Sequence, residues 1–109
     1  MSVAIFTTGG TIDKVYFDAK GGYQVGAPMV LELLRHARLP ALPEVTELLR
    51  KDSLEMTPAD RQAIRAAVAA CVATQILITH GTDTIIDTAL ELAGIAGKTI
   101  VLTGALQPG

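Results

Sequence analysis

Ile76-Leu77-Ile78-Thr79-His80-Gly81-Thr82-Asp83-Thr84 decides the fold. Four residues, three of them β-branched, form a run too short for a helix and with no polar alternation. A strand buried on both faces reads this way. Polar residues and a glycine break the run. Asp83 or Thr84 can then cap a helix that carries Ile86, Ala89, Leu90 and Ala93 and closes at Gly94 and Gly97. Thr99-Ile100-Val101-Leu102-Thr103 follows as another apolar strand. Strand, polar turn, helix, strand is the unit of a parallel sheet.

The same grammar extends toward the start of the chain. Val3-Ala4-Ile5-Phe6-Thr7 is a strand broken by Thr8-Gly9-Gly10-Thr11. Residues 12–26 show no helical period and include Gly21-Gly22, so they form a long loop with a small hairpin around Val15–Phe17 and Tyr23–Val25. A helix is expected over about Pro28–Arg38, ended by Pro40 and Pro43. Val45, Leu48 and Leu49 suggest the weakest strand, because Glu44 and Glu47 interrupt it. Thr57-Pro58-Ala59-Asp60 is a strong helix start, with Thr57 as cap, Pro58 in the first turn and Asp60 at the positive end of the dipole. That helix is expected over Pro58–Ala73, with Ile64, Ala67, Val68 and Cys71 facing inward. The fold class is therefore α/β, a three-layer sandwich with a mainly parallel sheet of flavodoxin- or Rossmann-like kind. Residues 1–109 make one domain.

Composition narrows the function. Half of the 109 residues are apolar and the formal net charge is −2, with lysines and arginines scattered. Nucleic acid is thus not an expected partner. No apolar run approaches the ~18 residues of a membrane span, and no leader segment is read at the start. Cys71, the one cysteine, reads as a small core residue, and a reducing cytoplasm suits it. Two isolated histidines and one cysteine offer no ligand cluster, so neither metal nor cofactor is expected.

Ligands of open α/β sheets bind outside the carboxyl ends of the strands. The loops there are Thr7–Thr11, Arg50–Glu55, Thr79–Thr84 and Thr103–Gln107, and three of the four are dense in small polar residues and glycine. The opposite loops are bland. Gly9-Gly10 can bring backbone N–H groups close to an anion or oxyanion. A phosphate cradle is a rival reading, but neither the Walker spacing nor G-x-G-x-x-G is present. Asp83 can hold an ammonium group, Thr82 can attack or bind water, and either Asp83 or Thr84 can instead be only a cap. His80 reads as a histidine held by local hydrogen bonds at a strand end rather than as a base. His36 receives no function.

Thr8-Gly9-Gly10-Thr11-Ile12 after the first strand, followed later by His80-Gly81-Thr82-Asp83-Thr84, resembles the L-asparaginase/glutaminase family. Tyr23-Gln24-Val25-Gly26, Asp52-Ser53-Leu54-Glu55-Met56 and Gly104-Ala105-Leu106-Gln107-Pro108 strengthen the likeness. It covers the whole chain and the front part of a usual member. The resemblance implies an N-terminal-type domain of an amidohydrolase that releases ammonia from L-asparagine, L-glutamine being the alternative. It implies Thr11 as nucleophile and Tyr23 as its helper on a mobile loop. Ser53 would hold the substrate α-carboxylate, Asp83 its α-ammonium group, and Thr82 would assist water or proton steps. Gly10, Gly81 and Ala105 would shape the pocket. An amide needs an activated nucleophile and an oxyanion stabiliser, so these roles suit the chemistry. The family pattern also has a lysine in a later strand region, and none here matches it; Lys98 precedes the fourth strand. A non-catalytic module binding aspartate or asparagine stays open beside the enzyme.

Two expectations can be tested directly. Residues 12–26 should form a lid over Thr11 that a ligand orders; equal backbone order with and without L-aspartate, by NMR relaxation, would count against it. The chain should also self-associate, because the helices near 28–38 and 84–94 carry leucine and isoleucine on more than one side. Family members are generally dimers or tetramers. Sedimentation equilibrium should show a homodimer or larger homo-oligomer, and a single species near 11.4 kDa would refute it.

Overall fold

The structure is a computed structural model that describes residues 3–10, 14–16, 23–25 and 43–104. Four parallel strands form the main sheet: β1 (Val3–Gly9), β4 (Glu44–Lys51), β5 (Gln75–Thr79) and β6 (Thr99–Thr103), in the order β4-β1-β5-β6. Two short strands, β2 (Lys14–Tyr16) and β3 (Tyr23–Val25), pair antiparallel as the expected hairpin, with Tyr16 opposite Tyr23. The expected helix over 28–38 and the rest of the 12–26 loop lie outside the described residues.

Counting only main-sheet strands, the order is 2-1-3-4, the arrangement of flavodoxin-like sheets. The chain leaves β1 toward one edge and leaves β5 toward the other. The crevice between those two carboxyl ends is the topological switch point, where such sheets bind ligands.

β4 is longer than its sequence pattern suggests. The register pairs Thr7 with Glu47 but Gly9 with Lys51, so β4 carries extra residues opposite Thr8. Such a bulge breaks strict alternation. Leu48 and Leu49, neighbours in sequence, both pack against the core.

Helix α1 (Pro58–Ala70) begins as expected. Thr57 Oγ1 accepts from the Asp60 amide at 3.1 Å, and Asp60 Oδ2 accepts from the Thr57 amide at 2.9 Å, a closed capping box. Lys51 Nζ reaches the same carboxylate oxygen at 2.9 Å. This hydrogen bond, foremost, holds the Asp60 carboxyl below its ordinary range. The helix ends at Ala70, three residues before the expected Ala73. Cys71 turns extended, and Lys98 Nζ takes the carbonyl oxygens of Cys71 and, at 2.6 Å, Ala73. Ile64 and Val68 are fully buried as expected, while Ala67 and Cys71 pack at the core margin.

Helix α2 (Ile85–Glu91) is shorter than the pattern over 84–94. Arg65 reaches across from α1 and caps the end of α2 through the Glu91 and Ala93 carbonyls. Its inward side is Thr88, followed by Leu92 just beyond the helix; Ile86 and Leu90 are about 70% exposed. The apolar residues that outline this helix in the sequence thus form its outer stripe.

The core joins Ala4, Phe6, Ile76 and Ile78 of the sheet to Ile64, Val68, Met56, Ala73 and Leu92. These strand residues share one face, the one that carries α1 and α2. On the other face Val3, Leu77 and Val101 line an open apolar cleft of about 310 Å³. Cavity and cap effects separate the contributions here. Ile64→Ala should lower unfolding free energy by about 2–5 kcal/mol, and Thr57→Ala by about 1 kcal/mol. Urea denaturation of both variants would measure this, and equal losses would mean that the core is not centred on Ile64.

Candidate active site

The site is assembled at the switch point from three strand ends. β1 ends in Gly9 and Gly10, whose φ values are 99° and 92°. Only glycine holds such a pair without strain. The Gly10 amide donates to the Lys51 carbonyl at 3.0 Å, tying the end of β1 to that of β4. A β-carbon on Gly10 would stand 2.6 Å from the Gly81 nitrogen, so the two turns touch backbone to backbone. Thr8 Oγ1 donates to the Thr79 carbonyl at 2.7 Å and closes the same seam one step earlier.

β4 delivers Ser53. Asp52 Oδ1 accepts from the Leu54 amide at 3.1 Å, starting a single 3₁₀ turn over Ser53–Glu55. The turn drives Ser53 inward to 1% exposure and leaves Leu54 at 73%. A β-carbon on Gly81 would lie 2.5 Å from Ser53 Oγ. Thr84, which starts α2, makes no side-chain cap. Its hydroxyl donates instead to the Ser53 carbonyl at 3.0 Å. The cap reading of Thr84 therefore gives way to a tie between two site loops. Ser53 Oγ itself is buried without a hydrogen-bond partner. A buried unpaired hydroxyl costs about 1–3 kcal/mol, so its position against Gly81 suits a polar ligand.

β5 supplies His80, Gly81, Thr82 and Asp83. The His80 amide donates to the Thr103 carbonyl at 2.9 Å. His80 is fully buried, with Nδ1 2.7 Å from the Gly81 carbonyl oxygen and Nε2 2.7 Å from Thr88 Oγ1. Burial pushes the imidazole below its ordinary pKa, the Gly81 hydrogen bond opposes this, and nearby Arg61 adds to the lowering. The ring is held by local hydrogen bonds, as the sequence suggested. Thr82 and Asp83 follow it and are exposed.

Of the residues expected at the site, Gly10, Ser53 and Gly81 lie against one another, and Thr82 and Asp83 directly follow Gly81. Tyr23 lies in β3, and its side chain is outside the described residues, as are Thr11 and Ala105. Three contributors escaped the sequence reading. Thr88 and Arg61 stand behind His80, with Arg61 Nε donating to Thr88 Oγ1 at 3.2 Å, and Met56 Sδ lies 3.7 Å from that hydroxyl. Each looks like an ordinary helix or loop residue until the elements pack. Lys98, at the opposite end of its strand, is occupied with helix carbonyls. Among the described residues no group of three His, Cys, Asp or Glu side chains could hold a metal ion. No helix among them is long and apolar enough to cross a membrane.

The chain matches the family "Asparaginase, N-terminal" over residues 2–109. Its structure is similar to that of a probable cytoplasmic L-asparaginase from Campylobacter jejuni, with a TM-score of 0.82, 30% identity, and coverage of 98% of this chain and 36% of that one. The thermostable L-asparaginase from Thermococcus kodakarensis matches with a TM-score of 0.77 and 31% identity over 99% of this chain and 35% of that one. L-asparaginase I from Vibrio cholerae O1 biovar eltor gives 0.75 and 33% over 98% and 34%. This chain thus spans about a third of the length of those proteins. A parallel sheet with its glycine turns and buried serine gathered at the switch point, and a family match along nearly every residue, lead to one conclusion: the chain belongs to the asparaginase family, through its N-terminal domain.

Proposed function

We propose that this chain carries an amide-hydrolysing site that releases ammonia from L-asparagine, with Thr11 as the nucleophile and L-glutamine as a second substrate. The observation that carries the reading is the buried, unpartnered Ser53 hydroxyl wedged against Gly81, with Thr82 and Asp83 following at the surface. An α-amino acid fits that pattern. Its carboxylate accepts from Ser53, and its ammonium group meets the Asp83 carboxylate. In this reading both anchors lie close to the nucleophile, which leaves a short side chain to match, so asparagine comes first.

The chemistry follows from those anchors. Thr11 Oγ attacks the side-chain amide carbon, with Tyr23 assisting the loss of its hydroxyl proton. The C–N bond then breaks, and nitrogen leaves as ammonia with a proton returned to it. Water, steered by Thr82, hydrolyses the resulting ester and yields aspartate. Gly10, Gly81 and Ala105 contribute backbone groups that shape the pocket. A cytoplasmic setting suits the lone, half-buried Cys71. The domain as it stands corresponds to the front part of a longer family member and works as a homo-oligomer in this reading.

A second reading, a non-catalytic module for aspartate or asparagine, is favoured by one observation. Both anchors of the first reading, Ser53 and Asp83, are in this chain and suffice for binding without chemistry. Ammonia release from L-asparagine, measured beside calorimetry with L-aspartate, separates the two. The enzyme reading expects turnover that Thr11→Ala abolishes while L-aspartate still binds. Ser53→Ala should weaken L-aspartate binding by about 10–100-fold, the worth of a hydrogen bond to a charged group. Binding without turnover selects the module, and turnover that survives Thr11→Ala removes Thr11 as the nucleophile.

A further inference from the structure

The His80 ring lies within a directed line of hydrogen bonds. The Gly81 carbonyl can only accept, so the imidazole proton sits on Nδ1. Nε2 of the neutral ring is then a bare lone pair, and the Thr88 hydroxyl donates into it at 2.7 Å. The Thr88 oxygen in turn accepts from Arg61 Nε at 3.2 Å. Donors and acceptors alternate without conflict from α1, through α2, to the carbonyl of Gly81. The reverse arrangement fails on two counts. A proton on Nε2 alone would leave Nδ1 facing the Gly81 oxygen lone pair to lone pair. A proton on both nitrogens would put a second positive charge beside Arg61 and turn the Thr88 hydroxyl toward Met56 Sδ.

The end of this line is the peptide between Gly81 and Thr82. Gly10 and Ser53 press on Gly81 from the side of the site, and the imidazole holds its carbonyl from the side of the core. Thr82 and Asp83 follow at once and are exposed, so the plane of that peptide aims them.

We propose that Arg61 and Thr88, acting through the neutral imidazole of His80, are positioning residues for the Thr82–Asp83 turn and set where the Asp83 carboxylate stands relative to Ser53. The consequence for ligand binding rests on the amino-acid reading of the site; the consequence for the turn itself does not. None of the three touches the ligand. They couple the packing of α1 against α2 to the geometry of the pocket.

The test uses the 109-residue chain and two kinds of readout. Imidazole ¹⁵N spectra of the wild-type protein at neutral pH should show His80 protonated at Nδ1 and bare at Nε2. Thr88→Val keeps the shape and removes the hydroxyl. It should lower backbone order at Thr82 and Asp83 from about 0.85 to below about 0.6, leave β5 and α1 ordered, and weaken L-aspartate binding by about tenfold. Thr88→Ser should restore both, which a purely steric role for Thr88 would not produce. Arg61→Met should move both in the same direction as Thr88→Val. An Nε2-protonated ring overturns the proposal, and so does unchanged order at Thr82 and Asp83 in Thr88→Val, whatever the affinity does. The ring spectrum decides even where a variant does not fold. If wild-type protein binds no L-aspartate, the amino-acid reading fails, while the ring and the order at Thr82 and Asp83 still decide the positioning line.

Discussion

The site depends on the peptide joining His80 to Gly81, where backbone packs directly on backbone. Gly10 packs onto it from β1, Ser53 leans on Gly81 from the end of β4, and a side chain at Gly104 would run into the His80 carbonyl from the end of β6. The His80 amide is bound to the Thr103 carbonyl. Ends of four strands are therefore gathered within van der Waals reach of one peptide. Backbones approach this closely only where side chains are absent or point away, which is the physical reason for glycine at positions 10, 81 and 104.

Hydroxyl groups hold this junction together and also leave it open. Thr8 ties β1 to β5, and Thr84 ties the start of α2 to Ser53. Among the described residues, the buried side-chain groups without partners are the hydroxyls of Thr7, Ser53 and Thr79. Thr7 and Thr79 are cross-strand partners near the carboxyl ends of β1 and β5. All three lie at the ligand end of the sheet. The apolar cleft lined by Val3, Gln75, Leu77 and Val101 lies on the other face of the sheet, and none of its residues is among these three. The fold thus concentrates its unspent hydrogen-bonding capacity where a polar ligand belongs.

Basic residues do a different task. Arg65 binds the last carbonyls of α2, and Lys98 those after α1. Helix ends present unpaired carbonyls and partial negative charge, and a cation there satisfies both. Because these contacts cross between elements, they fix how the helices sit on the sheet, and so how Thr88 meets His80. Lys98 is engaged in this way far from the glycine turns.

Much of the molecule was legible in the chain itself. The continuous apolar runs at 3–7, 76–79 and 99–103 read as parallel strands and all three are, although 99–103 stays half-exposed. Thr57-Pro58-Ala59-Asp60 closes its cap with its own atoms, so the start of α1 needs no tertiary help. Gly9-Gly10 and Gly81-Thr82-Asp83 drew attention as glycines and small polar groups at strand ends, and Ser53 through the family resemblance; Gly10 and Ser53 both pack on Gly81. What local pattern could not express was set by packing. A bulge opposite Thr8 puts Leu48 and Leu49 of β4 both against the core, which strict alternation does not foresee. The outward stripe of Ile86 and Leu90 on α2, the diversion of Thr84 from capping to Ser53, and the Arg61–Thr88–His80 line join residues far apart in sequence. Periodicity and capping are properties of neighbours along the chain. Which hydroxyl meets which ring depends on where two helices come to rest on a sheet, and only the tertiary structure decides that.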